Sequence, residues 1–158
     1  MTATTVQINT GLQVCTFRLG GLPFGVDVLD VQEVLYHAEI TPVPYAPGAV
    51  AGLINLRGQI ATTLDLRARL GEVDTDATPS SSPTHVVVRS SFEPVSLLVD
   101  RIGDVLDIEQ ERLEEPPTTM HDEMARAILA AYRLDDEILL ILDVDQLVEL
   151  ELPTTEAS

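Results

Sequence analysis

With 158 residues, the chain is long enough for one domain or two small fused subdomains, and it needs neither a metal ion nor a disulfide to fold. Its formal net charge is -17 and all nine basic residues are arginine, which argues against binding to nucleic acid or to an anionic membrane surface. Partners that contribute their own basic groups fit this charge.

The termini and the single cysteine add further exclusions. Cys15 allows no intrachain disulfide, and its place in an apolar alternation predicts burial. Residues 1–11 lack the basic and apolar regions of a secretory signal, and no stretch approaches the ~20 apolar residues of a membrane helix. We therefore expect a cytoplasmic protein without direct membrane insertion, with flexible termini at 1–11 and 151–158.

The first half of the chain combines strand periodicity with one helical spacing. In order, the patterns predict strands at 12–19 and 22–28, a short helix through Val28, Val31, Val34 and Leu35, a proline-rich edge strand or loop at 39–48, a hairpin at 52–65 and a short helix at 66–71. Asp27 or Asp30 is the expected cap of the first helix. The hairpin reads GLINLRGQIATTLD and has Arg57 and Gly58 at its tip.

Residues 72–83 are small, polar and poor in apolar side chains, which predicts a linker. Beyond it the patterns predict strands at 84–90 and 93–100, a turn or helix leading into a strand at 100–108, a loop at 115–124, strands at 127–134 and 137–142, and a helix at 143–150. Asp135 and Asp136 form the turn between the last two strands, and Asp143 caps the final helix.

The two halves resemble each other. A shift of 71 places Cys15 on Val86, and a shift of 78 places Ile60 on Ile138. The same order of strands, short helix, hairpin and Leu-Asp occurs twice. We therefore predict a mainly β fold of two barrel-like subdomains that arose by duplication, at about 12–71 and 84–150.

Enzyme and metal sites lack essential parts. Without lysine there is no P-loop lysine and no Schiff base. His37, His85 and His121 lie far apart and outside any zinc motif, and His85 is expected at the surface near a strand end. The sequence DVDQ at 143–146 lacks the glycine and distal glutamate of a calcium loop. We expect no cofactor, no metal and no catalysis.

Arg57 is unusual because it separates two mostly apolar runs, 52–56 and 59–65. Gly58 gives the tip its backbone freedom, and a guanidinium there can bind a carboxylate with both amino groups. Taken alone, the pattern favours an exposed turn residue over a docking site.

Four segments change that balance: FRLGGLPFGVDVLDVQEVL at 17–35, the stretch at 40–71 containing GLINLRG, VSLLVDRIGDVLDI at 95–108, and EILLILDVDQLVE at 137–149. Together they resemble the CheW family of bacterial chemotaxis adaptors. Residues 60–63 depart from it, since the family more usually has a proline and more β-branched apolar residues there. The resemblance implies a CheW-like domain over 12–150, with two five-stranded SH3-like barrels, no catalysis and no cofactor.

The resemblance also implies partners. Family members bridge the regulatory domain of a CheA-type histidine kinase and the cytoplasmic tips of chemoreceptors (methyl-accepting chemotaxis proteins), in arrays at the inner face of the membrane. It pairs Glu33 with Arg57 near the receptor surface and implies a receptor-binding set of Val31, Glu33, Gly52, Arg57 and Gly58. A coupling protein of a twitching-motility or developmental pathway, or a module of a longer kinase, remains an alternative.

Overall fold

Eleven strands dominate the computed structural model, which describes residues 12–44, 49–66, 83–89, 93–116 and 122–151. The strands are β1 Gln13–Leu19, β2 Leu22–Asp27, β3 Val31–Leu35, β4 Val50–Leu56, β5 Gln59–Asp65, β6 Thr84–Val88, β7 Val95–Val99, β8 Arg101–Asp107, β9 Leu113–Glu114, β10 Ile128–Arg133 and β11 Ile138–Leu142. The helical segments are two 3-10 turns, Val28–Asp30 and Gln110–Arg112, and the helices α1 Asp122–Ala127 and α2 Val144–Glu151. None of the described helices has the length and apolarity needed to cross a membrane.

The strands form two sheets, so the predicted mainly β class is confirmed. One sheet has the order β8-β1-β2-β11-β10-β9 and the other the order β3-β6-β7-β5-β4. Each takes strands from both sides of the predicted linker, so the sequence halves 12–71 and 84–150 do not each form one sheet. Closure into SH3-like barrels remains a prediction. The expected helix after Leu66, most of the linker and nearly all of the two termini lie outside the described residues.

The strand pairing follows the internal duplication. Each sheet contains one parallel pair, β2 with β11 and β5 with β7. Phe24 pairs with Leu140 in the first, and Val95 pairs with Thr62 in the second. The shift of 71 takes Phe24 to Val95, and the shift of 78 takes Thr62 to Leu140, so equivalent residues pair in both sheets. The two halves have therefore exchanged their first hairpins.

A shared apolar core holds the two sheets together. Its largest members come from both sheets and from α2, and include Phe17, Phe24, Leu64, Leu97 and Leu147. Each sheet also packs a smaller cluster of its own: Leu12, Val14, Ile108, Tyr132, Leu139 and Ile141 in one, and Ile54, Leu56, Ala61 and Val87 in the other. Strand alternation separates these cores, since neighbouring residues of a strand point to opposite faces.

The predicted helix through Val28 and Leu35 is wrong. Only Val28–Asp30 is helical, as a 3-10 turn capped by Asp27, and β3 follows it. A bulge explains the misleading pattern, because the register against β6 shifts between Val31 and Glu33. Because of the extra residue, Val31 and Val34 are three positions apart instead of two, and this spacing is the one expected for a helix. The turn or helix expected at 100–108 is likewise strand β8 from Arg101 onward.

Two further expectations need correction. His85 is not at the surface: it is 2% exposed, and its Nδ1 shares a hydrogen bond of 2.9 Å with Oγ of Ser96. The hydrogen bond to a buried hydroxyl allows the imidazole ring to be buried in the sheet. The local sequence does not predict this burial. The predicted loop at 115–124 ends in a helix, since α1 begins at Asp122. Cys15 is buried and the cap at Asp143 forms, as expected.

Thr63 offers a test of core packing. It is fully buried in β5, and its hydroxyl finds no hydrogen-bond partner in the described part of the chain. Because an unsatisfied buried hydroxyl is destabilising, Thr63→Val should raise the free energy of unfolding by about 1 kcal/mol. Urea unfolding measures this, with Thr62→Val at a half-buried position as the control. A loss of stability at position 63 would contradict the account.

An ion pair connects the β1–β2 turn with the β10–β11 hairpin. Arg18 donates to both carboxylate oxygens of Glu137, at 2.7 and 2.8 Å, and to the carbonyl of Gly21 at 2.9 Å. The hydrogen bonds from Arg18 to the carboxylate, and to a lesser degree the charge of Arg18, lower the pKa of Glu137 below its ordinary value of 4.5. The pair therefore stabilises the fold above the unfolded-state pKa and loses this effect as the pH falls through the folded-state pKa.

We therefore expect Glu137→Gln to reduce stability at pH 7 and to have less effect at a lower pH, where the carboxylate binds a proton. The loss at neutral pH should stay below about 1 kcal/mol, because about a third of each side chain is exposed. Urea unfolding of both proteins at the two pH values measures the difference. An equal loss at both values would show that Glu137 acts by packing and not by charge.

Candidate functional site

Arg57 lies at the tip of the β4–β5 hairpin, where two residues connect the strands. Its φ is 53° and that of Gly58 is 91°, so both adopt the left-handed conformations of the tightest hairpin turns. The side chain of Asn55 accepts a hydrogen bond of 2.7 Å from the Gly58 amide and holds the turn closed. Asparagine or glycine is the usual residue where Arg57 stands, so the arginine does not optimise the turn.

Glu33 meets this arginine from β3. Nη2 of Arg57 lies 2.6 Å from one carboxylate oxygen, and Nη1 lies 3.1 Å from the other. The pair predicted from the sequence therefore forms with two parallel hydrogen bonds. The side chain of Arg57 is 78% exposed while that of Glu33 is 16% exposed, so Glu33 holds the arginine from below. The arrangement presents one face of a fixed guanidinium to solvent.

The other predicted site residues differ in their exposure to solvent. Gly58 is exposed beside Arg57, whereas Val31 is half-buried against the shared core and Gly52 is buried. A Cβ atom on Gly52 would lie 2.6 Å from Cγ2 of Ile40 and closer still to the carbonyl oxygen of Thr41. The structure thus brings Glu33, Arg57 and Gly58 together at the surface and places Val31 and Gly52 beneath it. That these five residues bind a receptor remains a prediction.

A depression beside the tip was missed by sequence reasoning. It measures about 410 Å³ and is lined by His37, Ala38, Glu39, Thr41, Leu53, Ile54, Asn55 and Ile60. Ile60 is 51% exposed, and Tyr36, which precedes His37 in the chain, is 59% exposed. The strand pattern gave no signal for this exposure, because Ile60 fits the alternation of a core-facing residue.

Two buried titratable groups of the described residues are shifted toward their neutral forms. Burial raises the pKa of the Cys15 thiol, so the thiolate is disfavoured at neutral pH. Desolvation lowers the pKa of His85, which keeps its ring neutral. Over the described ranges, no three His, Cys, Asp or Glu side chains group in a way that could hold a metal ion. A two-sheet β protein with an ion-paired, exposed hairpin tip has the features of a protein-binding scaffold.

Comparison with known proteins agrees with that class. The family model described as the CheW-like domain matches residues 13–152, so the chain belongs to the CheW-like family. The chemotaxis protein CheW of Rhizobium meliloti (strain 1021) is 30% identical over 146 residues, which cover 90% of this chain and 91% of that protein. The chemotaxis protein CheW of Thermotoga maritima is 30% identical over 137 residues, 87% of each chain.

A solved structure extends the match to the fold. The crystal structure of the scaffolding protein TtCheW from Thermoanaerobacter tengcongensis superposes with a TM-score of 0.78 at 27% identity, covering 89% of this chain and 94% of that one. Membership of this family makes the chain a non-enzymatic chemotaxis adaptor.

Proposed function

We propose that the chain is a cytoplasmic adaptor that couples the tips of chemoreceptors to the regulatory domain of a CheA-type histidine kinase, in arrays at the inner face of the membrane. The ion pair of Arg57 with Glu33 is the observation that carries the proposal. The family resemblance supplies the identity of the partners, and the geometry of the tip supports a docking role.

Stability does not explain the tip. An exposed ion pair contributes ~0–1 kcal/mol, and a non-glycine residue at positive φ has a cost of similar size. Arg57 therefore contributes little to the stability of the fold, yet two hydrogen bonds fix its side chain. A residue of this kind is suited to binding a partner. The exposed guanidinium offers donors to a carboxylate or to carbonyl oxygens of a receptor helix tip.

The kinase needs a different surface if both partners bind together. Exposed apolar side chains lie away from the tip in the six-stranded sheet, where Leu22 is 39% exposed and Ile138 is 40% exposed. Both lie at the ends of neighbouring strands, β2 and β11. Exposed apolar side chains of this kind favour contact with a partner, because binding removes their surface from water.

Reconstitution tests the proposal. Vesicles carrying a chemoreceptor are mixed with the purified kinase, with or without this chain, and sedimented. We expect the kinase to sediment with the vesicles only when the chain is present, because the chain supplies the link. Equal sedimentation in its absence would overturn the coupling role. Vesicles without receptor provide the control for adhesion to lipid.

A further inference from the structure

The outer edge of the six-stranded sheet is the strand β8, Arg101–Asp107. In the described part of the chain it hydrogen-bonds to β1 alone. Ile108 donates to the carbonyl of Leu12, and since hydrogen-bonding residues alternate along an antiparallel ladder, Val105 and Asp107 direct their backbone groups away from β1. This edge therefore offers backbone donors and acceptors to a further strand.

The other described edges are shorter or partly covered. Strand β9 has only two residues. The outer side of β4 is partly covered, because Leu53 on this strand exchanges backbone hydrogen bonds with Thr41 from the preceding segment. Strand β3 has five residues and holds Arg57 through Glu33. Strand β8 has seven residues and no proline, and Val105 on it is 51% exposed. It is the longest edge left open to pairing by the described residues.

The charge on this edge selects what can pair with it. The shift of 71 makes Asp104 the counterpart of Glu33, and the shift of 78 makes Asp135 the counterpart of Arg57. The Glu33–Arg57 ion pair belongs to the five-stranded sheet, and the two equivalent positions in the six-stranded sheet are both acidic. The exposed carboxylates of Asp104 and Asp107 repel a second copy of a chain whose net charge is -17. The same carboxylates attract an extended segment that carries lysine or arginine.

We propose that β8 is a docking edge for an extended, basic segment of a partner protein, which adds to the six-stranded sheet as a further strand. Backbone hydrogen bonds to Val105 and Asp107 supply the affinity, and the acidic side chains supply the preference for a basic segment. The site is separate in sequence and in sheet from the Arg57 tip. It does not depend on the proposed coupling of receptor and kinase.

The test uses the full-length chain, labelled with nitrogen-15, and three seven-residue peptides blocked at both ends. One alternates arginine with valine, one replaces arginine by glutamate, and one carries a proline at the centre of the arginine sequence. At millimolar concentration the arginine peptide should slow amide exchange at Val105 and Asp107 at least about tenfold, since both amides become hydrogen-bonded. The other two peptides should leave both rates unchanged.

Two variants sharpen the result. Val105→Pro removes an outward amide without touching the bonds to β1, and should abolish protection by the peptide. Asp104→Asn keeps the backbone and should weaken binding about threefold, the size of one cross-strand charge pair. If the proline variant does not fold, which the amide spectrum of β1 would show, the asparagine variant still decides.

Four results would overturn the proposal. Slow exchange of the two amides in the free monomer would mean that the chain covers its own edge. Protection that rises with protein concentration in the absence of peptide would identify a second copy as the occupant. Equal binding of the glutamate and arginine peptides would contradict the charge preference, and protection of β8 by none of the peptides would contradict strand addition.

Discussion

Arg57→Asp is expected to weaken binding to a chemoreceptor tip about thirtyfold, or by about 2 kcal/mol, and to change kinase affinity less than about threefold. The substitution places a second carboxylate beside Glu33 and removes the guanidinium donors from the exposed face of the tip. The surfaces proposed for the kinase keep their composition. Titration calorimetry with each purified partner measures both affinities.

Arg133→Asp is the matched control. Arg133 is also an exposed arginine, with 61% of its side chain accessible, and it pairs with Glu114 at 3.3 Å on the other sheet. The change in charge is identical, so long-range electrostatics affect both variants alike. Equal loss of both partners by a folded Arg57→Asp protein would contradict the separation of the two surfaces. Unchanged affinity for both partners would mean that Arg57 is only an exposed turn residue.

Gly52→Ala is expected to reduce the free energy of unfolding by about 3 kcal/mol, which is a large part of the stability of a domain this size. The φ of Gly52 is 152°, and a Cβ atom there would overlap the backbone of Thr41. That backbone is fixed by two hydrogen bonds of 2.8 Å with Leu53, so it has little room to retreat. Urea unfolding measures the effect.

Gly21→Ala separates backbone strain from the close contact. Gly21 has a φ of 88°, but a Cβ atom there would meet nothing within 4 Å. It should therefore lose only about 1 kcal/mol. Similar losses at both positions would show that the approach of Thr41 to Gly52 is unimportant. The predicted outcome would mean that the close approach of Thr41 requires a glycine at position 52.

Some features of the fold follow from local pattern and others do not. Strand alternation at Val14, Cys15 and Phe17 predicted β1 correctly, because each face of that strand meets an apolar core. The bulge in β3 defeated the same reasoning, since one extra residue changes the apolar period from two to three. The exchange of hairpins between the halves was also invisible, because pairing partners are set by tertiary contacts and leave no local pattern.

The candidate site shows the same division. The tip at Arg57 and Gly58 followed from a two-residue turn between apolar runs, and the pairing with Glu33 followed from the family resemblance. The burial of Gly52 beneath Thr41 did not follow, since a glycine in a strand is compatible with many neighbours. The exposure of Ile60 was missed because its alternation is that of a core residue.

Simultaneous binding tests the adaptor account most directly. The chain is first saturated with the kinase regulatory domain, and a chemoreceptor tip fragment is then titrated into the complex while mass is followed by analytical ultracentrifugation. We expect a ternary complex, with receptor affinity within about threefold of that of the free chain, because separate sites bind independently. Release of the kinase domain as the receptor fragment binds would contradict it, since one surface would then serve both partners.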